Sequence, residues 1–115
     1  MIKQKLQYIP ENGFYYHYKH SEHDLTSYAY EVVGVGIATE ENCPEDHQCM
    51  VVYRPLYTNN SIYEAGKSYY HMRPLTMFLE TVTVAGSPTP RFQKITDMET
   101  IEELLRIRDA MYGTL

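Results

Sequence analysis

Two short segments carry the side chains best suited to holding a ligand. Val51-Val52-Tyr53-Arg54-Pro55-Leu56-Tyr57 and His71-Met72-Arg73-Pro74-Leu75-Thr76-Met77-Phe78 each place Arg-Pro-Leu at what reads as a strand end, where proline stops the ladder and turns the chain. Both arginines are therefore expected to leave the sheet near loops. A guanidinium offers a planar fork to carboxylate or phosphate and stacks on aromatic rings. Tyr57, Tyr69 and Tyr70 stand close enough in sequence to supply such rings. Arg54, Tyr57, His71 and Arg73 form the candidate ligand-binding set. The competing use is structural: either arginine can pair with Glu31, Glu64 or Glu80 while the tyrosines cover the sheet.

Other constellations carry less. His17, His20 and His23 repeat every third residue, with His71 elsewhere. Strand residues three apart point to opposite faces, so His17 and His20 should diverge, and no metal site is expected from them. Cys43 and Cys49 have no second pair and lack zinc-site spacing; free thiols in a reducing compartment are expected. Glu40, Glu41, Glu45 and Asp46 lack the spacing and central glycine of a calcium loop. Glu64-Ala65-Gly66-Lys67-Ser68 ends like a phosphate-binding loop, but Ser61 stands where its first glycine belongs and a strand-like Tyr69-Tyr70-His71 follows. Gly34-Val35-Gly36 has no third glycine and no helix behind it, so a strand kink explains it better than a dinucleotide fingerprint. Asn59-Asn60-Ser61 fits a glycosylation acceptor, which carries no weight without a secretion signal. No nucleophile elbow or other local catalytic motif occurs. No catalytic residue and no cofactor are assigned.

Composition narrows the classes further. A length of 115 residues suits one core. Twelve tyrosines, three phenylalanines and no tryptophan suit strands with half-buried rings and wet hydroxyls. The formal net charge of −5 argues against strong non-specific nucleic-acid binding, which needs clustered Lys and Arg. The N-terminal residues lack the apolar stretch of a secretion signal, and the apolar run at 32–38 is too short to cross a membrane. A soluble, cytoplasmic protein with no membrane partner is expected.

The elements that must position these residues follow from alternation and turn signals. Residues 14–20 read as a strand with Phe14, Tyr16 and Tyr18 on one face and Tyr15, His17 and Lys19 on the other. Residues 21–27 read as a loop, and 28–39 as a long strand bent at Gly34 or Gly36. An acidic turn, a strand at 49–54, a polar connection and two strands at 68–73 and 77–84 follow, with a 3₁₀-like turn at Pro74-Leu75-Thr76. Ala85-Gly86-Ser87-Pro88 is a turn into a short segment at 91–95. Tyr16, Tyr18, Val32, Val33, Val52, Leu79 and Val82 are the expected core. Residues 97–112 form the one helix, with capping-box spacing at Thr96 and Glu99. Ile101, Leu104, Ile107 and Met111, widened by Leu105, make its apolar stripe, Glu102 and Arg106 can pair along it, and Gly113 ends it. Short strands separated by turns and followed by one helix favour a mainly β fold, a small SH3-like barrel of five or six strands with a C-terminal helix. The organisation is a lead at 1–12, a barrel domain at 13–95 and a helix at 96–115.

At the same residues the chain resembles a family, through Tyr16-x-His-Tyr-Lys19, Tyr30-Glu-Val-Val-Gly-Val35, the 51–57 segment, Arg73-Pro-Leu-Thr-Met-Phe-Leu-Glu80 and Pro90-Arg-Phe92. In order and spacing over 13–95 these are similar to domain of unknown function 1653. The resemblance implies a small bacterial SH3-like barrel without an established activity, whose relatives sometimes occur beside nucleotide-metabolism domains. It also marks two departures. The loop at 21–29 is longer than usual, and His71 stands where the family commonly carries tryptophan, so a ligand contact there would differ in this chain. Three functions follow as expectations. The first is a non-catalytic binding module for a small anionic ligand, a nucleotide or a peptide. The second is an assembly domain, with a homodimer through the C-terminal helix. The third is a small enzyme or accessory subunit in nucleotide metabolism, relying on His17, His71 or a nearby carboxylate.

Overall fold

The computed structural model describes residues 8–57 and 70–113. Its framework is a five-stranded antiparallel sheet in the order β4-β3-β2-β1-β7, with a separate two-stranded ribbon of β5 and β6. The strands are β1 (Gly13–His17), β2 (Ala29–Ile37), β3 (Cys49–Pro55), β4 (His71–Pro74), β5 (Thr81–Val84), β6 (Ser87–Pro90) and β7 (Phe92–Lys94). A single helical turn, α1 (Leu75–Phe78), follows β4, and the long helix α2 (Met98–Tyr112) ends the chain. The fold is thus mainly β with one C-terminal helix. Among the described residues the ladder does not close into a barrel, because β4 and β7 are its two outer strands.

The sheet is buried on both faces, and the pleat sorts its residues between them. Tyr15, Tyr30, Val32, Val51, Tyr53 and Phe92 share one core with Leu75 and Phe78 of α1. The curl of the sheet brings α1, at the β4 edge, onto β7 at the opposite edge: the rings of Phe78 and Phe92 stack 4.3 Å apart, inclined by 6°. Phe14, Ala29, Leu56 and Ile95 form the second core beneath α2, around a fully buried Leu104. Ile101, Leu105 and Ile107 flank it as the helical spacing predicts, so the apolar stripe docks on the chain's own sheet. The last place on the stripe belongs to Tyr112, while Met111 points outward.

Local chemistry explains the departures from expectation. The N-cap of α2 is Asp97, whose carboxylate accepts the Thr100 amide at 2.9 Å, one residue beyond the expected Thr96. Arg106 pairs with Glu103 rather than Glu102. Residues 77–80 are not strand: Leu75 and Phe78, three apart, are both buried by one helical turn, which leaves Met77 and Leu79 outside. Leu79 is exposed, correcting its place in the expected core, whereas Val32 is fully buried. Tyr16, Tyr18, Val33, Val52 and Val82 are half-buried. The bend in β2 is a register shift between Val32 and Gly34. Ala85 and Gly86, with φ of 49° and 82°, make a two-residue hairpin turn between β5 and β6. The phosphate-loop-like stretch at 64–68, the acceptor-like Asn59 and Tyr69 lie outside the described residues. No helix among the described residues is long and apolar enough to cross a membrane.

The helix is tied down by charge as well as by apolar area. Glu31 of β2, nearly buried, is held between Arg54 of β3 and Arg108 of α2, each 2.9 Å from one of its carboxylate oxygens. The Arg54 guanidinium lies 4.0 Å from the Tyr112 ring centre, and the Tyr112 hydroxyl donates to the Pro55 carbonyl. Removing one partner of a buried ion pair strands the others. Glu31→Ala should therefore lower stability by about 3 kcal/mol in urea titration, while Arg106→Ala, which breaks an exposed pair, should cost less than about 0.5 kcal/mol.

Candidate functional site

The antiparallel order places the end of β1, the start of β2, the end of β3 and the start of β4 together. Aromatic side chains collect at this end on the face away from α2. Tyr30, Tyr53 and Phe92 are its buried floor, with ring centres 5.3 to 5.8 Å apart. Around them stand His17, 5.1 Å from Phe92, then Tyr28, 5.3 Å from His17, and Tyr57, 6.2 Å from Tyr28 and 5.6 Å from Tyr30. His71, 5.4 Å from Tyr53, continues the rim. The Tyr30 and Tyr57 hydroxyls share a 2.6 Å hydrogen bond. Burial, and then that bond, push the ionisation of Tyr30 far above its ordinary value.

Arg73 enters this aromatic basin from β4. Its Nε donates to the Tyr53 hydroxyl at 3.2 Å, and its guanidinium carbon lies 5.5 Å from the Phe92 ring centre. The other four arginines, Arg54, Arg91, Arg106 and Arg108, each meet a carboxylate. Arg73 meets none among the described residues. Three of the four sequence candidates, Tyr57, His71 and Arg73, thus border one surface. Arg54 does not: the register pairs it with Glu31 on the α2 face. A hollow of about 500 Å³ lies on that face, lined in part by Glu31, Arg54, Tyr70 and Arg108, but its arginines and carboxylate already neutralise one another.

His17, which the sequence offered only for an enzymatic role, also stands in the basin with a perturbed ring. Its Nδ1 accepts the Lys19 backbone amide at 3.2 Å, which requires an unprotonated nitrogen there. Burial first, then Arg73, Arg91 and Lys19, lower its pKa from 6.5 to about 4. Burial and Arg73 lower that of His71 as well. The basin is therefore a locally positive place on an acidic chain. His20 lies beyond the end of β1, so strand parity does not place it; it stacks on Tyr16 at 3.5 Å, apart from the contact of His17 with Phe92. Among the described residues no three His, Cys, Asp or Glu side chains are grouped to hold a metal ion.

Tyr28 is the rim residue with no sequence signal. It sits at φ 50°, in the left-handed region, and the residue is 39% exposed. That conformation costs a side-chain-bearing residue about 1–2 kcal/mol. The loop before it enforces the strain. Ser27 is tied through its hydroxyl to the Ser21 amide and through its carbonyl to the His20 ring. The Tyr28 carbonyl then accepts the His17 amide at 3.0 Å.

The profile of the family described as "Protein of unknown function (DUF1653)" matches residues 13–94, the sheet, its ribbon and every described residue of the basin. The chain belongs to the DUF1653 family. A crystal structure of a DUF1653 protein from Bordetella bronchiseptica is similar at 29% identity, with a TM-score of 0.49, covering 76% of this chain and 92% of that one. No curated protein matches the chain. The DUF1653 match stops short of α2, so the helix and its Arg108 clamp lie beyond the matched region.

The state of His17 sets a pH dependence for this DUF1653 domain. The unfolded ring gains its proton near pH 6.5, the folded ring only near 4. Within that window the unfolded state binds more protons, so stability is lost as pH falls. Urea titrations at pH 7 and 4.5 should show wild type losing more stability than His17→Gln; equal losses would contradict the assignment.

Proposed function

We propose that this DUF1653 protein is a non-catalytic module that binds a small anion in the aromatic basin, through Arg73 with Tyr57 and His71 at its border. One observation carries the reading. Arg73 is oriented by a tyrosine hydroxyl and an aromatic face, and among the described residues no carboxylate neutralises it. Elsewhere the fold pairs its arginines. A guanidinium held in a half-buried, low-dielectric place binds carboxylate or phosphate with directed hydrogen bonds, and Arg91 and Lys19, which with Arg73 add to burial in lowering His17, favour an anion beside it. Arg54, committed to Glu31, is left out of the site.

We read the framework as an SH3-like barrel in a soluble, cytoplasmic protein. Support for the barrel comes from the Phe78–Phe92 stack between the two edges and from the Arg91 amide, which donates to the Glu80 carbonyl where the ribbon leaves the sheet. Small barrels of this kind present ligands at one open end.

The test is an amide NMR titration of the full chain with inorganic phosphate, acetate and mononucleotides. Shifts should cluster at Tyr57, His71 and Arg73 and weaken at least tenfold in Arg73→Gln, with Arg106→Gln unchanged. Shifts confined to the α2 face, or none at millimolar concentrations in a folded spectrum, would sink the proposal.

A further inference from the structure

We propose that the anion bound in the basin is carried on a flat unsaturated ring, an aryl or heteroaryl acid, with the ring lying on Tyr28 and the anion on Arg73. This rests on the anion-binding reading above and supplies the other half of the ligand.

Tyr28 holds a left-handed backbone that glycine adopts freely. The residue is 39% exposed, so part of its side chain stays open to solvent. No hydrogen bond of its hydroxyl ties it to the described residues. The ring lies within 26° of parallel to His17 and is inclined by 46° to Tyr57. Backbone strain held in place by surrounding hydrogen bonds clusters at positions that serve a ligand.

The second part is the neighbourhood. From Tyr28 the rings run through His17 to Phe92, and Arg73 lies over Phe92. A partly exposed aromatic ring and a guanidinium that meets no carboxylate among the described residues therefore border one basin. That pairing suits a molecule with a flat end and an anionic end. A methylated ammonium, the usual occupant of an aromatic cage, is repelled here by Arg73, Arg91 and Lys19, the three cations that act on His17.

The experiment compares phenyl phosphate with inorganic phosphate, and benzoate with acetate, on the full chain at pH 7 by amide NMR. Stacking on one aromatic face should make the ring-bearing member of at least one pair about tenfold tighter; which pair responds identifies the acid. Tyr28→Gly should remove that advantage and leave binding of the simple anion unchanged in a folded spectrum. Tyr28→Phe should keep the advantage. Simple anions binding at Arg73 with no gain from the ring would overturn this inference and leave the anion reading intact. No binding of any of the four would overturn both. Ring-bearing acids that keep their advantage in Tyr28→Gly would overturn the inference as well.

Discussion

The carboxylate of Glu31 organises the molecule. It stands on the central strand of the sheet, is almost closed off from water, and is held by one arginine from the neighbouring strand and one from the terminal helix. A buried charge so placed tolerates few rearrangements, because any slip of helix or strand leaves it or an arginine uncompensated. The apolar contacts around Leu104 supply area but little direction. The clamp supplies the direction, fixing where along the sheet the helix lies. Tyr112 completes it by covering the Arg54 guanidinium and donating to the Pro55 carbonyl.

With one face closed by that helix, the two faces of the sheet acquire different chemistry. On the α2 side cations and carboxylates balance; on the other, aromatic rings surround a guanidinium that no described acid answers. The same nitrogen-rich end keeps His17 neutral, and its Nδ1 bond to the Lys19 amide ties that neutrality to the turn leaving β1. The loop at 21–27 matters for the same reason. Its hydrogen bonds deliver Tyr28 to the rim in a conformation the residue would not choose alone.

Much of the scaffold was legible in the residues. Alternation from Phe14 to His17 assigned both faces of β1 correctly, and the spacing of Ile101, Leu104 and Ile107 assigned the helix face. The site was legible only in part. Arg54 and Arg73 sit in matching Arg-Pro-Leu segments, yet they emerge on opposite faces. Parity normally separates faces by polarity, but both faces of β3 are covered here, so Val51, Val52 and Tyr53 carry no contrast from which to read direction. Tyr28 left no trace because left-handed backbone is imposed by tertiary hydrogen bonds and not by the residue. The run Met77-Phe78-Leu79 looked like strand because three apolar residues in a row fit either period; the burial of Leu75 with Phe78 decided for a helical turn. Asp97 displaced Thr96 as the cap because a carboxylate one residue closer reaches the Thr100 amide.

The ribbon of β5 and β6 has a consequence for how copies of the molecule meet. Its two-residue turn makes Val84 and Ser87 the first hydrogen-bonded pair, so Val82 and Thr89 are the next, and Pro88 and Pro90 fall at the alternate positions. Their ring nitrogens thus face outward, and the inner ladder loses no bond. The outer edge of β6 is left with carbonyls but no donors at 88 and 90. A strand from a second molecule approaching that edge finds nothing to accept from at every other residue. Proline so placed is a barrier to edge-to-edge growth, and it protects a ribbon whose Val84 side chain is open to solvent from templating aggregates.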